Sequence, residues 1–373
     1  MAAPDPAIST SGALQPIDAL RRIAFLLERS GAERHRVGAF RSAAATVVRL
    51  DREELVRRAA AGTLTDLPGI GPKTGAVIEE ALSGEVPSYL ADLEAQVAPL
   101  APGGEELLAA LRGDLHCHSD WSDGGSPIEE MVASCLELGR EYQALTDHSP
   151  RLRVARGLTA ERLTEQIGVV EAVNEHLSGA GSGAGADFRL LTGIEVDILD
   201  DGSLDQRDDL LSRVDMVVAS VHSNLRMESA AMTRRMLAAV RHPDTCVLGH
   251  CTGRMVAPRV HAPRPGKSRR SGTQDRRAPS EFDARAVFTE CAERGVAVEI
   301  NCRPERLDPP SALMELALEL GCLFAIDTDA HAPGQLDWLS YGTSRAQQVG
   351  IPAERIVNTW PLDDLLAWAR PDA

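Results

Sequence analysis

From residue 114 onward the chain alternates short apolar runs with helix-length segments, and this alternation constrains the fold more than any other feature of the 373-residue sequence. The runs are 114–117, 142–146, 188–196, 215–221, 246–248, 296–300 and 322–326. Between them, 127–138, 159–177, 226–240, 281–294 and 310–320 carry apolar residues at helical spacing and are long enough for crossover helices. Such alternation predicts a parallel α/β architecture, and seven repeats suit a closed or nearly closed barrel better than a short open sheet. In a parallel barrel every strand opens its carboxyl end onto the same face.

That face would be crowded with metal-ligating side chains. His116, His118, His148, His222, His250 and His331 lie at or just after the carboxyl ends of the predicted strands, as do Glu195 and Asp329, and Asp123 sits on the loop leaving the first strand. The local strings are D-L-H-C-H-S-D-W-S-D at 114–123, T-D-H-S-P at 146–150, G-I-E-V-D at 193–197, S-V-H-S at 220–223, L-G-H at 248–250 and D-T-D-A-H at 327–331. Side chains alternate along a strand, so both imidazoles of His116-x-His118 point to one face and can chelate one ion. Imidazoles converging with carboxylates form a metal site by default, and the mixed nitrogen and oxygen donors suit zinc, manganese or iron. His35, His176, His242 and His261 fall outside this pattern and are read as ordinary surface or core residues.

Composition removes several other classes. The cysteines at 117, 135, 246, 251, 291, 302 and 322 are odd in number and form no C-x-x-C pair, which argues against a disulfide framework or zinc ribbon. No apolar run approaches the ~20 residues needed to cross a bilayer, so no membrane partner is expected and the chain reads as cytoplasmic. A net charge of −16 excludes a wholly basic nucleic-acid-binding surface without excluding a local basic patch. One such patch is local: residues 17–75 hold eleven Lys/Arg against seven Asp/Glu. Lys73 and Lys267 are the only lysines. Two low-complexity pieces, 178–186 and the basic stretch 257–280, read as flexible insertions.

Residues 14–98 show helical periodicity only, followed by a linker and lead-in helix over 99–111. Within them, L-P-G-I-G-P-K-T-G at 67–75 is a hairpin between two helices. Its glycines allow a tight turn, and the N–H groups opening the second helix can meet a DNA phosphate without reading bases. Gly69, Ile70, Gly71 and Lys73 are the candidate DNA-binding residues.

With these motifs in view, residues 112–370 resemble the PHP family, named for polymerases and histidinol phosphatases, whose members are distorted (β/α)7 barrels binding up to three metal ions. The resemblance implies one ion on His116, His118, Glu195 and Asp329, a second bridged by Glu195 to His222 and His250, and a third on Asp123, His148 and His331. It also implies phosphate ester hydrolysis by an ion-bridging hydroxide, with Glu195 and Asp329 acting catalytically through the metals. Residues 17–97 resemble the small N-terminal domain of family X DNA polymerases, which carries a helix-hairpin-helix. Val77 and Phe40 stand where lyase-active relatives carry a lysine and a tyrosine, so lyase activity is not expected. The short linker leaves no room between the domains for a polymerase core, so nucleotide incorporation is not expected either.

The substrate phosphate calls for arginines that are not metal ligands. Arg151, Arg153, Arg156, Arg254, Arg303 and Arg306 follow strand ends, and Arg153, Arg254 and Arg303 are the favoured phosphate-binding candidates. Asp147 and Asp327 are expected to support ligands from behind. The leading reading is a metal-dependent phosphoesterase of DNA ends or lesions, with DNA held nonspecifically through its phosphates. A phosphatase of small metabolite esters and a DNA-binding scaffold with little turnover are the alternatives.

Overall fold

The computed structural model describes residues 14–179, 187–256 and 277–370. Most of the two low-complexity segments, residues 180–186 and 257–276, lies outside them. The chain divides into two compact units, one formed by residues up to Pro99 with Ala332–Asp337, the other by Leu100–His331 with Trp338–Ala373.

The first unit is built from helices α1 (Pro16–Arg29), α2 (Arg34–Val47), α3 (Arg52–Ala61), α4 (Pro72–Leu82) and α5 (Ser88–Glu94). Pro16 opens α1, where its fixed φ and missing N–H cost nothing. Asp51 Oδ1 caps α3 by accepting from Glu54 N–H at 2.7 Å, and Gly62 ends it in the left-handed region. Leu20, Ile23, Leu27, Phe40, Ala43, Ile78 and Leu90 form the core. Inside it, Glu28 is buried and neutralised by a two-point pair with Arg41, at 2.9 and 2.7 Å. Glu28 Oε2 also accepts from Gly334 N–H at 2.9 Å, and Asp337 accepts from Arg29 Nε at 2.5 Å, which explains why the short segment Ala332–Asp337 groups with these helices.

The second unit is a seven-stranded parallel sheet in sequence order: β1 (Gly113–Cys117), β2 (Tyr142–Leu145), β3 (Arg189–Asp197), β4 (Met216–Ser220), β5 (Val247–Leu248), β6 (Ala297–Asn301) and β7 (Phe324–Asp327). A parallel bridge between Cys117 and Ala330 brings the last strand back to the first, closing the α/β barrel. The strands are buried on both faces, which is why they read as continuous apolar runs. Their limits lie within a residue or two of the predicted ones.

Two helices of eight or more residues, Leu339–Val349 and Leu362–Ala369, carry no sequence prediction. The first buries Gly342, Thr343, Ser344 and Ala346, so small residues make its contact face and the apolar periodicity that marks the other helices is missing. The closure depends on Asn358, also unforeseen. Its Oδ1 accepts from Ile326 N–H at 2.7 Å, while Nδ2 donates to Ile326 O, to Asp327 Oδ1 at 2.9 Å and to Gly113 O at 3.3 Å, stapling β7 to β1. The neighbouring Asp114 accepts from Thr328 N–H and Oγ1, a second tie across the same seam.

Gly113 sits where β1 meets the ring of Tyr142, and a Cβ there would lie 2.1 Å from that ring and 2.4 Å from Tyr142 O. Gly113→Ala is therefore expected to destabilise the barrel by about 1–3 kcal/mol through overpacking. All four tryptophans (121, 338, 360 and 368) belong to the barrel unit, so tryptophan emission during denaturant unfolding isolates this effect. An unchanged midpoint would contradict the close approach.

Candidate functional site

At the carboxyl ends of the strands the backbone period delivers nitrogen and oxygen donors to one volume. His116 and His118 leave β1 on the same face with their Nε2 atoms 3.2 Å apart. His116 Nδ1 lies 2.5 Å from Glu299 Oε1. With its N–H given to that carboxylate, the Nε2 lone pair is left facing His118.

Glu195, on β3, stands at the centre and is 1% exposed. Its Oε2 lies 3.4 Å from His116 Nε2, 3.6 Å from His118 Nε2 and 2.8 Å from His148 Nδ1. Its Oε1 lies 3.2 Å from His222 Nε2 and 2.8 Å from His250 Nε2. Asp329 Oδ1 is 3.4 Å from His118 Nε2, and Asp123 Oδ1 is 3.5 Å from His148 Nε2 and 3.2 Å from His331 Nε2. All nine predicted side chains thus converge. Asp329 holds its place with φ at +51°, a left-handed conformation that costs a non-glycine residue about 1–3 kcal/mol and persists where its surroundings over-determine it.

The donor set fits divalent ions. Three groups have ligand atoms mutually within 4.8 Å: His118, Asp123, His148 and His331; His116, His118 and Glu195; and His148, Glu195 and His222. His148 Nδ1, His222 Nε2 and Glu195 Oε2 are buried with no hydrogen-bond partner although they face one another, an arrangement that a cation would satisfy. These groups share His118 and His148 as well as Glu195, so the cluster is more continuous than the ligand sets implied by the family resemblance, in which Glu195 alone bridges.

The electrostatics run in the same direction. Burial by itself would raise the Glu195 carboxyl, but His222, His148 and His116 hold it well below the usual range. Asp329 behaves alike, burial being outweighed by Arg303, His118 and Arg306. His118 is pushed well below the ordinary imidazole value by burial and by the charges of His331 and His148, and His250 is lowered by burial and Arg306. His222 and His116 go the other way: burial opposes their protons, yet Glu195 and Asp197 raise His222 to about 9, and Glu195 and Glu299 raise His116 well above the ordinary imidazole value.

The predicted supports divide. Asp147 accepts from Ser119 N–H and Oγ, from Ser122 Oγ and from Gln166 Nε2, so it shapes the loop carrying Asp123. Asp327 accepts from Leu115 N–H and Asn358 and belongs to the barrel seam. Neither hydrogen-bonds a side chain of the nine. Glu299 and Asn301 do this work, Asp197 holds the His222 main chain, and none of the three was foreseen. Asn301 Nδ2 donates to Asp329 Oδ2 at 3.1 Å, and Asp197 Oδ1 accepts from His222 N–H at 3.1 Å. The available signal for Glu299 was a carboxylate inside V-A-V-E-I-N, a strand otherwise apolar on both faces.

Of the favoured arginines, only Arg303 reaches the cluster, donating to Asp329 O at 3.0 Å with Nη1 at 2.8 Å from His331 Nδ1. Arg306 joins it, with Nε 3.2 Å from Asp329 Oδ2. Arg254 instead spends its guanidinium on Arg306 O and Leu307 O, and Arg153 is exposed on the short turn Arg153–Ala155. Cys117 points away from the imidazoles, its Sγ 3.2 Å from Ala144 O.

In the helical unit, Gly69 has φ at +79°, and a Cβ there would press on Ser42 at 3.2 Å. Thr46 Oγ1 anchors the turn on Pro68 O at 2.7 Å. Ile70 differs from the expected surface role: its side chain is buried and its N–H donates to Leu67 O, so it anchors the hairpin from within. Gly71 N–H is likewise spent, on Thr74 Oγ1 at 2.9 Å. The N–H group of Lys73, in the first turn of α4, has no carbonyl partner within the helix, whereas Thr74 is buried. The position of a Gly71 Cβ is open space, and Lys73 Nζ lies 3.7 Å over the ring of Tyr89.

The sequence pattern of the PHP domain matches residues 114–302, and that of a helix-hairpin-helix domain matches residues 13–86. The DNA polymerase/3'-5' exonuclease PolX of Bacillus subtilis is 34% identical over 263 residues, covering 70% of this chain and 42% of its own length. The chain thus spans less than half of that relative. A probable phosphatase of Caldicellulosiruptor saccharolyticus is 24% identical over 269 residues, covering 70% of this chain and 96% of its own. Among solved structures, the histidinol phosphate phosphatase of Lactococcus lactis, complexed with zinc, L-histidinol and phosphate, aligns with a TM-score of 0.40 at 17% identity over 65% of this chain and 94% of that one.

A metal ion requires neutral imidazoles, so uptake must displace the protons that the neighbouring carboxylates favour on His222 and His116. The expected result is that affinity for Mn2+ rises with pH through the alkaline range, by about tenfold per unit for each proton displaced. Calorimetry in buffers of different ionisation enthalpy would count the released protons; pH-independent uptake with none released would refute the assignment.

Proposed function

The chain belongs to the PHP family, and from that premise we propose that it is a metal-dependent phosphoesterase hydrolysing phosphodiester or phosphomonoester bonds at DNA ends or lesions. His116, His118, Asp123, His148, Glu195, His222, His250, Asp329 and His331 would hold up to three divalent ions, zinc, manganese or iron. When bound, such ions supply positive charge to a phosphoryl group and lower the pKa of a water nucleophile. Around them, Glu195 is the shared anion that keeps several imidazoles directed at one volume. Arg303 and Arg306, beside Asp329, offer guanidinium N–H groups to phosphate oxygens. Arg254 would act on the loop rather than the substrate, and Arg153 would meet a phosphate only from the exposed rim.

One observation carries the DNA reading: the same chain pairs this buried donor cluster with a helix-hairpin-helix whose second helix opens with the exposed Lys73, its N–H outside the helical ladder and open to a backbone phosphate. Tethering a strand through the hairpin unit raises its effective concentration at the barrel without sequence preference. Exonuclease action, abasic-site cleavage and 3′-phosphate removal all follow from this chemistry. A second reading, a phosphatase of small metabolite esters, draws on the relative named a probable phosphatase, which is matched over 96% of its length.

Metal-reconstituted protein should be offered 5′- and 3′-labelled single-stranded, gapped and abasic DNA beside histidinol phosphate and a chromogenic phosphate ester, with His118→Ala as control. DNA cleavage that needs metal and His118 is expected; hydrolysis of the small esters alone would move the assignment to the second reading. Gly71→Val adds a side chain in the open space at the start of α4, next to Lys73, without backbone strain. Losing one charge-assisted contact should weaken DNA binding about tenfold or more and leave ester hydrolysis intact. Unchanged DNA affinity would remove the hairpin from the proposal.

A further inference from the structure

We infer that Glu299 is the positioning residue that couples two of the proposed metal subsites, orienting the His116 ring and the His250 main chain with one carboxylate. The inference rests on the metal-site reading above and deepens it. Glu299 lies on β6, is fully buried, and is not among the nine converging donors. Its two oxygens do different work. Oε1 accepts from the His116 ring at Nδ1, 2.5 Å away, which fixes both the tautomer and the rotation that aim Nε2 at Glu195 and His118. Oε2 accepts from the backbone N–H of His250 and so holds the end of β5, from which the imidazole reaches Glu195 Oε1 at 2.8 Å.

A third connection runs through Asn301, whose Nδ2 lies 3.3 Å from Glu299 Oε2 and 3.1 Å from Asp329 Oδ2. Three donors from three strand ends, His116, His250 and Asp329, are thereby referred to one anion. The contacts of Asp123, His148 and His331 run to one another, to Glu195, to Asp329 and to Arg303. Glu299 should therefore govern the subsites containing His116 and His250 and leave the Asp123–His148–His331 subsite alone.

The substitution Glu299→Gln tests this with nearly constant volume. An amide presents one acceptor and one donor, so it cannot accept from the His116 ring and the His250 N–H together; whichever way it turns, one N–H faces another. Direct metal titration, with Co2+ visible absorption as a reporter of ligand geometry, should show two ions bound about 10–100-fold more weakly and the third unchanged. Glu299→Asp keeps both acceptors one methylene short and should recover part of the loss. Far-UV circular dichroism and thermal unfolding of the metal-free variants separate misfolding from misplacement. Uniform weakening of all three ions, or none, overturns the inference while the metal site stands. A wild-type protein that binds no divalent ion overturns both.

Discussion

A carboxylate surrounded by imidazoles is the interaction on which the barrel's chemistry depends. Glu195 lies within 3.6 Å of ring nitrogens from five histidines carried by four different strands or the loops after them. Taking one anion out of water costs several kcal/mol, and taking several imidazoles with it leaves lone pairs that cannot all be met by protons. His118 and His250 are pushed toward neutrality while Glu195 is held ionised, and this division leaves negative charge and free lone pairs in the same volume. The site is therefore preorganised for cations by the burial that would otherwise make it unstable.

Such a site needs a rigid frame, and the barrel seam supplies it with polar groups as well as apolar ones. Asn358, Asp327, Asp114 and Thr328 cross-link β7 to β1 immediately beneath His116, His118, Asp329 and His331. Burial pushes the Asp327 carboxyl well above its ordinary range, with the charges of Asp114 and Glu299 adding to the effect; burial likewise raises Asp114 to about 6, against the hydrogen bonds from Thr328 that draw it down. Packing sets the strand separations, and these hydrogen bonds set the register at which the last donors meet the first.

The helical unit solves a simpler problem. Gly69 and Gly71 serve different needs: the first requires a left-handed backbone against Ser42, and the second leaves space before the N–H groups of α4. Ile70 between them is the apolar anchor, and Thr46 ties the turn to α2. The hairpin is thus anchored from behind, with open space at Gly71.

Much of this was legible along the chain. Strand-helix alternation specifies parallel pairing, the period of two aims His116 and His118 together, and a parallel barrel gathers the nine donors, because each is a consequence of local geometry repeated around one axis. Arg254, Arg306, Glu299 and Asn358 were misplaced or missed because nothing local distinguishes them. Whether an arginine meets a carboxylate or a loop carbonyl, and whether a buried glutamate faces one imidazole or two strand ends, depends on distances across the barrel. Sequence by itself determined the fold class and the donor set, since backbone periodicity acts within a few residues. Only the tertiary structure decided which groups orient those donors, since hydrogen bonds between strands far apart in the chain form only once the sheet has closed.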